Sequence, residues 1–499
     1  MQKATKEILA QFDAISEKRI QEIRDTKDTI QVSGAVYYVS NAGDDTNDGL
    51  SAQKPWKTLQ KVTDADLKPG DGVCFQRGDL FRGEISAKAG VTYFAYGEGE
   101  KPRFYGWDKN LADPELWILV DAQHHIWKWN EPILDCGTLV FNAGQAHCRK
   151  LIPSYMNGQF VCRDDESRLF DMAEEMTEDL DLFWRFDDEL TTSPSKGEDF
   201  PVPVATTHSL GELYLRCDQG NPALLYADIE AIVMRKLFSV GDNANIKIDN
   251  LCLKYANFAV GGGGFVDGLH VTNCEIGWIG GCIQHYFGTD PNYPQGRRGT
   301  VTRFGNGIEI YGGCNNYVVE NCYIYQSYDA GMTHQVTTTG TKYTMTNILY
   351  KDNVVEKCVY AIEYFLEKLN GETASHIDNC EMCGNILRLS GYGWGQQRHN
   401  THTPAHIKGW SYENTARNFS VHHNIFDRSA YRMIHMVAKE KASCAQLYEN
   451  TYIQKYGMTL GSYGAYENGK VPTISFFDDV EKIIWEEYGD KDAKVFYLE

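Results

Sequence analysis

An all-β solenoid, a coil of stacked parallel strands, is the architecture this sequence predicts, and three observations predict it. The second half carries one recurring phrase, Asn or Cys followed by alternating apolar residues: "DNLCLKY" at Asp249, "NCEIGWI" at Asn273, "NCYIYQS" at Asn321, "DNVVEKC" at Asp352, "GNILRLS" at Gly384, "HNIFDRS" at His423 and "ENTYIQK" at Glu449. Measured at the column Asn250, Cys274, Cys322, Asn353, Asn385, Asn424 and Asn450, the steps are 24, 48, 31, 32, 39 and 26 residues, so the shortest is one bare turn and the longer ones add a loop. The text between strands has no helices, which excludes leucine-rich and ankyrin-like repeats. A column of Asn suits such a coil because stacked amides hydrogen-bond from turn to turn, as in cross-β ladders. Cys at two of the positions keeps the volume small and forfeits that bond.

The elements follow in order. Residues 1–30 space Ile8, Leu9, Phe12, Ile15, Ile20 and Ile23 along one face of a helix, without the continuous apolar stretch of a signal peptide. This segment is expected to cap the first open coil, because a bare sheet end invites edge pairing. Residues 31–106 contain "YYVSNAGDDTNDGLSAQKPWKTLQKV", "PGDGVCFQRGDLFRGEI" and "AYGEGEKPRFYG", which resemble the opening coils of right-handed parallel β-helix proteins of the pectate-lyase-like superfamily. The resemblance covers residues 36–106 and 238–455. It implies a right-handed parallel β-helix, and within the superfamily the chain is most similar to carbohydrate-active members, in particular glycoside hydrolases such as β-xylosidases and lacto-N-biosidases. Residues 107–237 interrupt the coil with short strands and turn residues ("HHIWKWN", "GTLVFNAG", "DLFWRF", "GELYLRCDQGNPALLY") and read as an inserted β-rich, sandwich-like module. The acidic run 164–190 inside it is expected to be solvated. Residues 238–460 form the main β-helix and 461–499 a C-terminal cap or tail.

Composition narrows the partners. A formal charge of −20 and the lack of a basic run exclude rows of phosphates and anionic membrane as natural partners. No apolar run approaches the length of a membrane span. Fourteen cysteines without an export signal read as reduced thiols used as small hydrophobes, which suggests a cytoplasmic protein. Homo-oligomers are compatible with all of this.

Strand alternation then places acids. In "GIEI" the isoleucines at 308 and 310 point into the coil, so Glu309 points out. One and two coils on, the same column holds Thr333 and Glu363, and His435 falls in it further along. With coils about 4.8 Å apart, Glu309 and Glu363 lie about 10 Å apart, with Asp329 entering from the turn between them. Three loops, 284–307, 334–345 and 390–415, are expected to wall this ridge with side chains that stack on sugars or hydrogen-bond to them. His285, Arg303, His334, Tyr364, Trp394, Arg398, His402 and His435 are the candidate substrate contacts. Paired carboxyls flanking a bond are what glycoside hydrolysis needs, one giving a proton to the leaving oxygen and the other attacking or activating water. Asp329, Glu309 and Glu363 are therefore the candidate catalytic residues and an oligosaccharide the expected substrate, with no cofactor.

A lyase or uronate epimerase needs a basic residue. "NGIE" looks like part of the motif of one alginate and dermatan lyase family, but Tyr311 stands where that base is expected, and an acidic ridge repels polyuronate. A non-catalytic carbohydrate-binding solenoid needs only the aromatic loops. His399, His402 and His406 have helical metal spacing, but Pro404 argues against a helix there, so no metal site is expected. Cys380 and Cys383 are expected to pack the core from opposite sides of a strand. The run 261–264, four glycines that open no helix, is expected to be a tight corner.

Overall fold

Parallel ladders run the length of the computed structural model, which describes residues 1–499 except 28–29, 157–158, 187–209, 287–300, 340–342, 370, 399–403 and 467–470. The ladders make the three faces of a parallel β-helix. One face stacks 252–256, Glu275–Ile279, Tyr323–Ser327, Val354–Glu356, Ile386–Ser390, Ile425–Ser429, Thr451–Lys455 and Lys494–Leu498. The second stacks 258–262, Ile308–Ile310, Ala330–Thr339, Tyr360–Leu369, Ala405–Gly409, Arg432–Ala438 and Thr459–Ala465. The third runs from Val36–Val39 to Gln446–Tyr448. Coil stacking therefore continues past residue 460, through 459–465 and 494–498.

The recurring phrase is a turn. In six of its seven copies the first residue sits in the left-handed region (Asn273, Asn321, Asp352, Gly384, His423 and Glu449, φ between 52° and 66°), which Asn, Asp and Gly adopt most readily, whereas in the first copy Asn250 takes the turn (φ 63°) and Leu251, not Asn250, stands in register with Cys274. The second residue of the phrase points inward, where Asn353, Asn385, Asn424 and Asn450 form one buried column. Each Nδ2 donates to the next Oδ1, at 2.9, 2.9 and 3.1 Å, and Asn450 donates at 2.8 Å to Asp490, which ends the ladder. Above it, Cys322 N–H still reaches Asn353 Oδ1 at 2.9 Å, while the thiols of Cys322 and Cys274 turn to backbone carbonyls. A second amide ladder, exposed on the third face, links Asn379 to Asn347 at 2.7 Å and Asn347 to Asn316 at 2.8 Å. All fourteen cysteines are free and thirteen are buried.

The N-terminal helix, Lys6–Asp25, lies elsewhere than over the first coil. It runs along the flank of the first face, with Ile20 and Ile23 packed on Tyr323, Val354 and Ile386. Its charges reach both ways, Arg24 to Glu275 at 3.0 Å and Asp13 to Arg388 at 2.6 Å. The two-residue strand before it, Gln2–Lys3, pairs with Phe496 and Tyr497 and so extends the last coil. The start of the solenoid is covered instead by the short helix Leu59–Asp64, through Leu59 and Val62. Near the other end, Val480 and Ile484 of the helix Val480–Glu486 enter the same core.

Between residues 107 and 237 a five-stranded sheet, mostly antiparallel, orders Arg149–Lys150, Asp181–Phe186, Leu210–Arg216, Ile126–Leu134 and Trp117–Asp121. Trp117, Trp129, Trp184 and Leu213 pack in its core. The strand Cys136–Phe141 ties it to the solenoid by pairing with Ile229–Ser239, which continues into the parallel stack.

Candidate active site

The second face carries the acids as strand alternation requires. Ile308 is register partner to Met332, which sets Glu309 beside Thr333; Thr333 pairs with Glu363, Glu363 with Lys408 and Lys408 with His435. Lys408 is a member of this column that sequence reasoning missed, although "HIKG" alternates like its neighbours. On the other side of Glu309 the column is held by Gly261, so two of the four glycines are strand residues and not a corner. Gly263, next to them, would have open space around a Cβ and borders the cleft.

A cleft of about 300 Å³ opens over Glu309, Asp329 and Glu363. Its floor is wired. Asn306 donates through Nδ2 to Glu309 Oε2 at 2.7 Å and accepts through Oδ1 from Ala330 N–H at 2.7 Å, which joins the first acid to the strand that begins beside Asp329. The Asp329 carbonyl accepts from Val359 and Tyr360 N–H at 3.0 and 3.1 Å. Gln335 Nε2 donates to Glu363 Oε2 at 2.9 Å. Arg398 forms an ion pair with Asp329. Asn306 and Gln335 went unseen in the sequence; "GNGIE" held the first beside its acid, and the second shares the outward side of its strand with Thr333.

Electrostatics separate the three acids. Burial pushes the Glu309 carboxyl up to about 7, with the Asn306 hydrogen bond and Lys236 opposing and the charge of Asp329 adding to it. Burial also raises Glu363, reinforced by Asp329 and opposed by Arg398 and Lys408. Lys408 itself is lowered, by burial first, and its ammonium lies 4.7 Å from the Tyr360 ring centre. The cleft thus holds two carboxyls disposed to keep a proton near neutrality beside a third that is ion-paired. The ridge is not purely acidic, because Lys408, Arg398 and Arg432 are interleaved with it.

The apolar wall is aromatic. Tyr311 and Trp410, about half exposed, flank Phe365 with ring centres 5.8 and 5.0 Å away. Phe304 also lines the cleft. Trp410 lies within the 390–415 loop and Tyr311 directly after the Glu309 strand, but residue type alone does not place either over the acids.

Several expected contacts lie elsewhere. His334 and Tyr364 are inside the coil, stacked 5.4 Å apart, with His334 Nδ1 2.9 Å from Tyr350 Oη; the alternation that turns Thr333 and Glu363 outward turns their neighbours in. Burial lowers His334 to about 3. Trp394 is buried, its indole N–H bonded to the Gln326 carbonyl at 2.8 Å and its ring against Tyr328. Arg303 is buried too, and clamps the Gly281 and Gly137 carbonyls at 2.7 and 3.0 Å while lying over the Tyr328 ring, 4.4 Å away. His435 continues the column beyond Lys408, 3.2 Å from Arg432, and is lowered by burial to about 3; it is not among the cleft-lining residues. Arg398 is the substrate-contact candidate that lines the cleft. His402, His399 and the side chain of His285 lie outside the described residues. His406 is buried in the solenoid against Ser390 at 2.8 Å. Residues 334–339, expected as a loop, belong to the strand Ala330–Thr339.

No family model matches the chain. It is 42% identical over 84 residues to the lacto-N-biosidase of Bifidobacterium longum subsp. longum, a match that takes in 15% of this chain and 5% of that protein. Among solved structures it is similar to a family 136 glycoside hydrolase, a lacto-N-biosidase from Eubacterium ramulus, with TM-score 0.36 and 12% identity over 90% of this chain and 67% of that one. It is also similar to XylC in complex with xylose (TM-score 0.40, 12% identity, 93% and 82% of the two chains) and to a protein described as a glycoside hydrolase (0.42, 11%, 85% and 89%).

Proposed function

We propose that the chain is a glycoside hydrolase that cleaves an oligosaccharide in the cleft on its second face, with Glu309 as general acid and Asp329 as the carboxylate that attacks the anomeric carbon or activates water. The observation that carries this reading is the placement of three carboxyls on successive coils under an aromatic wall, with Asn306 bonded both to Glu309 and to the residue after Asp329. Glu309 meets the requirement of an acid that stays protonated near neutrality. Arg398 compensates the charge on Asp329, and Gln335 orients Glu363, which sets the field around both. Tyr311 and Trp410 offer half-exposed faces to a sugar ring. The partial match to a lacto-N-biosidase agrees with a saccharide substrate. We include in the proposal an intracellular, imported oligosaccharide, in keeping with cysteines that are all free.

Lys408 favours a second reading. A buried lysine with a lowered pKa, in register with Glu363, has the chemistry of a base that abstracts a proton beside a uronate carboxylate, although it lies behind the residues that line the cleft. One assay separates the two. Aryl glycosides and uronate-containing oligosaccharides are incubated with the same protein. Release of aryl alcohol supports hydrolysis, growth of ultraviolet absorbance from an unsaturated product supports the lyase, and neither signal across a broad panel would reject both.

A further inference from the structure

On the third face, away from the cleft, the sequence pair Cys380 and Cys383 parts company. Cys380 enters the core, whereas Cys383 sits under Glu381 and His422 on the outer side of the strand His376–Cys383. Cys383 and His422 are register partners on neighbouring strands, and Glu381, two residues before Cys383, shares its face. One ligand atom from each of the three lies within 4.8 Å of the others. Cys383 is 8% exposed, so the thiol is sheltered while the carboxylate above it reaches solvent.

The hydrogen-bond chain from this cluster does not close on its own protons. Glu381 Oε1 is 3.0 Å from His422 Nε2, His422 Nδ1 is 2.8 Å from His423 Nδ1, and His423 Nε2 pairs with Glu449. These are three links, and each needs one N–H. Two neutral imidazoles supply two. If His423 donates to Glu449 and His422 to His423, the lone pair of His422 Nε2 faces a carboxylate, and the reverse tautomers only move the same conflict to Glu449. With both rings neutral the chain lacks one N–H, which either a proton on one imidazole or a cation at the Glu381 end makes good, and the thiol beside that end is where a soft cation finds another ligand. Lys351, the register partner of Cys383, holds its ammonium on Glu320 at 2.8 Å and is not a member of this hydrogen-bond chain.

We propose that Glu381, Cys383 and His422 bind a divalent transition metal of zinc type, through a carboxylate oxygen, the thiolate and Nε2, with water in the fourth position. The donor set is one that zinc accepts. Bond lengths of about 2.0 Å to N and about 2.3 Å to S put tetrahedral ligand atoms about 3.3–3.8 Å apart, a closure that rotation of the exposed Glu381 side chain provides. On binding, a metal–sulfur bond replaces the S–H bond, and the proton leaves to solvent. His422 Nδ1–H then donates to His423 and His423 Nε2–H to Glu449, so every link is satisfied and the ring of the ligand is oriented by an outer partner, as metal-bound histidines require. His423 and Glu449 occupy the same left-handed turn position in successive coils, which is what lines them up. The metal would pin two coils together.

The test is a titration of the full-length, chelator-treated protein with Co²⁺, followed by displacement with Zn²⁺. The expected result is a thiolate-to-cobalt charge-transfer band that saturates at one equivalent, is absent in Cys383→Ser, and needs at least about tenfold more metal in His422→Gln. Zn²⁺ should raise Tm of the wild type and leave Cys383→Ser unchanged. The absence of a thiolate band in the wild type, or its survival in Cys383→Ser, overturns the proposal; the wild-type titration decides even if a variant fails to fold.

Discussion

Partial burial in the cleft pushes the Glu309 carboxyl up to about 7, and that one property governs two measurements. In the proposed reaction Glu309 must be protonated to act as general acid, so kcat/KM should fall above a limb near 7. Glu309→Gln and Asp329→Asn preserve shape and the Asn306 bond geometry but remove proton donation and anionic attack, so kcat should drop by about 10²–10⁴ with little change in KM. Near-normal turnover in both variants on a confirmed substrate would sink the assignment. In folding, the sign runs the other way from an ion-paired acid. The folded state binds the Glu309 proton more tightly than the unfolded chain, so between the ordinary value of 4.5 and about 7 it carries the extra proton, and stability is lost as pH rises through that window. Glu309→Gln imitates the protonated form at every pH. Its Tm should match wild type at pH 4 and exceed it at pH 8 by roughly 1–3 °C; a lower Tm at pH 8 would mean that the ionised carboxylate is the better-accommodated form.

At the scale of elements, the Asn column shows what stacking adds to alternation. Asn385 accepts from both the N–H and the Nδ2 of Asn353 and donates to Tyr350 O and to Asn424 Oδ1. Replacing it with Ala takes the acceptor from the buried Asn353 N–H and one bond each from Asn353 Nδ2, Asn424 Oδ1 and the Tyr350 carbonyl, and the loss should be roughly 2–4 kcal/mol by urea denaturation. Asn347→Gly on the exposed ladder removes a comparable amide while keeping the left-handed backbone at φ 56°, and should cost well under 1 kcal/mol. Equal losses at the two sites would refute the claim that burial gives the column its strength. The column was legible in the sequence because turn, ladder residue and strand recur in fixed order. The outward acids were legible for a related reason, since a period of two assigns every strand residue a side. By residue type His334 and Tyr364 pass for substrate contacts, but the same period turns them inward, and a loop position, as for Arg303 and Trp394, says nothing of whether a side chain turns to substrate or to backbone. Asn306 and Lys408 needed the register between coils, which only pairing reveals.

For the whole molecule, the N-terminal helix is the part whose place no pattern announced. Its apolar stripe says that one side is buried, not which of three faces buries it. The fit is metric. From Asp13 to Arg24 the helix rises about 16 Å, at about 1.5 Å per residue, and their partners, on the strands that hold Arg428 and Glu275, are four coil steps or about 19 Å apart. A single helix thus lies across five coils, holding them by Ile20 and Ile23 in the middle and by ion pairs at both ends. In a solenoid each coil otherwise touches only its neighbours, so a strap of this kind couples coils that have no direct contact. Removing residues 1–26 should uncover Tyr323, Val354 and Ile386, take Arg24 from Glu275, which keeps Lys254, and take Asp13 from Arg388, which keeps Glu356 and Asp427. At about 1.5–3 kcal/mol for each of two lost isoleucine anchors, the chain should be weakened by roughly 3–6 kcal/mol. Unfolding followed by both fluorescence and far-ultraviolet dichroism should then broaden, with the two signals no longer coincident, because the coils lose their long-range coupling. The cleft sits on another face, so below the first transition the truncated chain should retain the wild-type KM on whichever saccharide proves to be the substrate. An unchanged Tm with a single sharp transition would show that nearest-neighbour stacking alone carries the cooperativity and that the helix is only a cover.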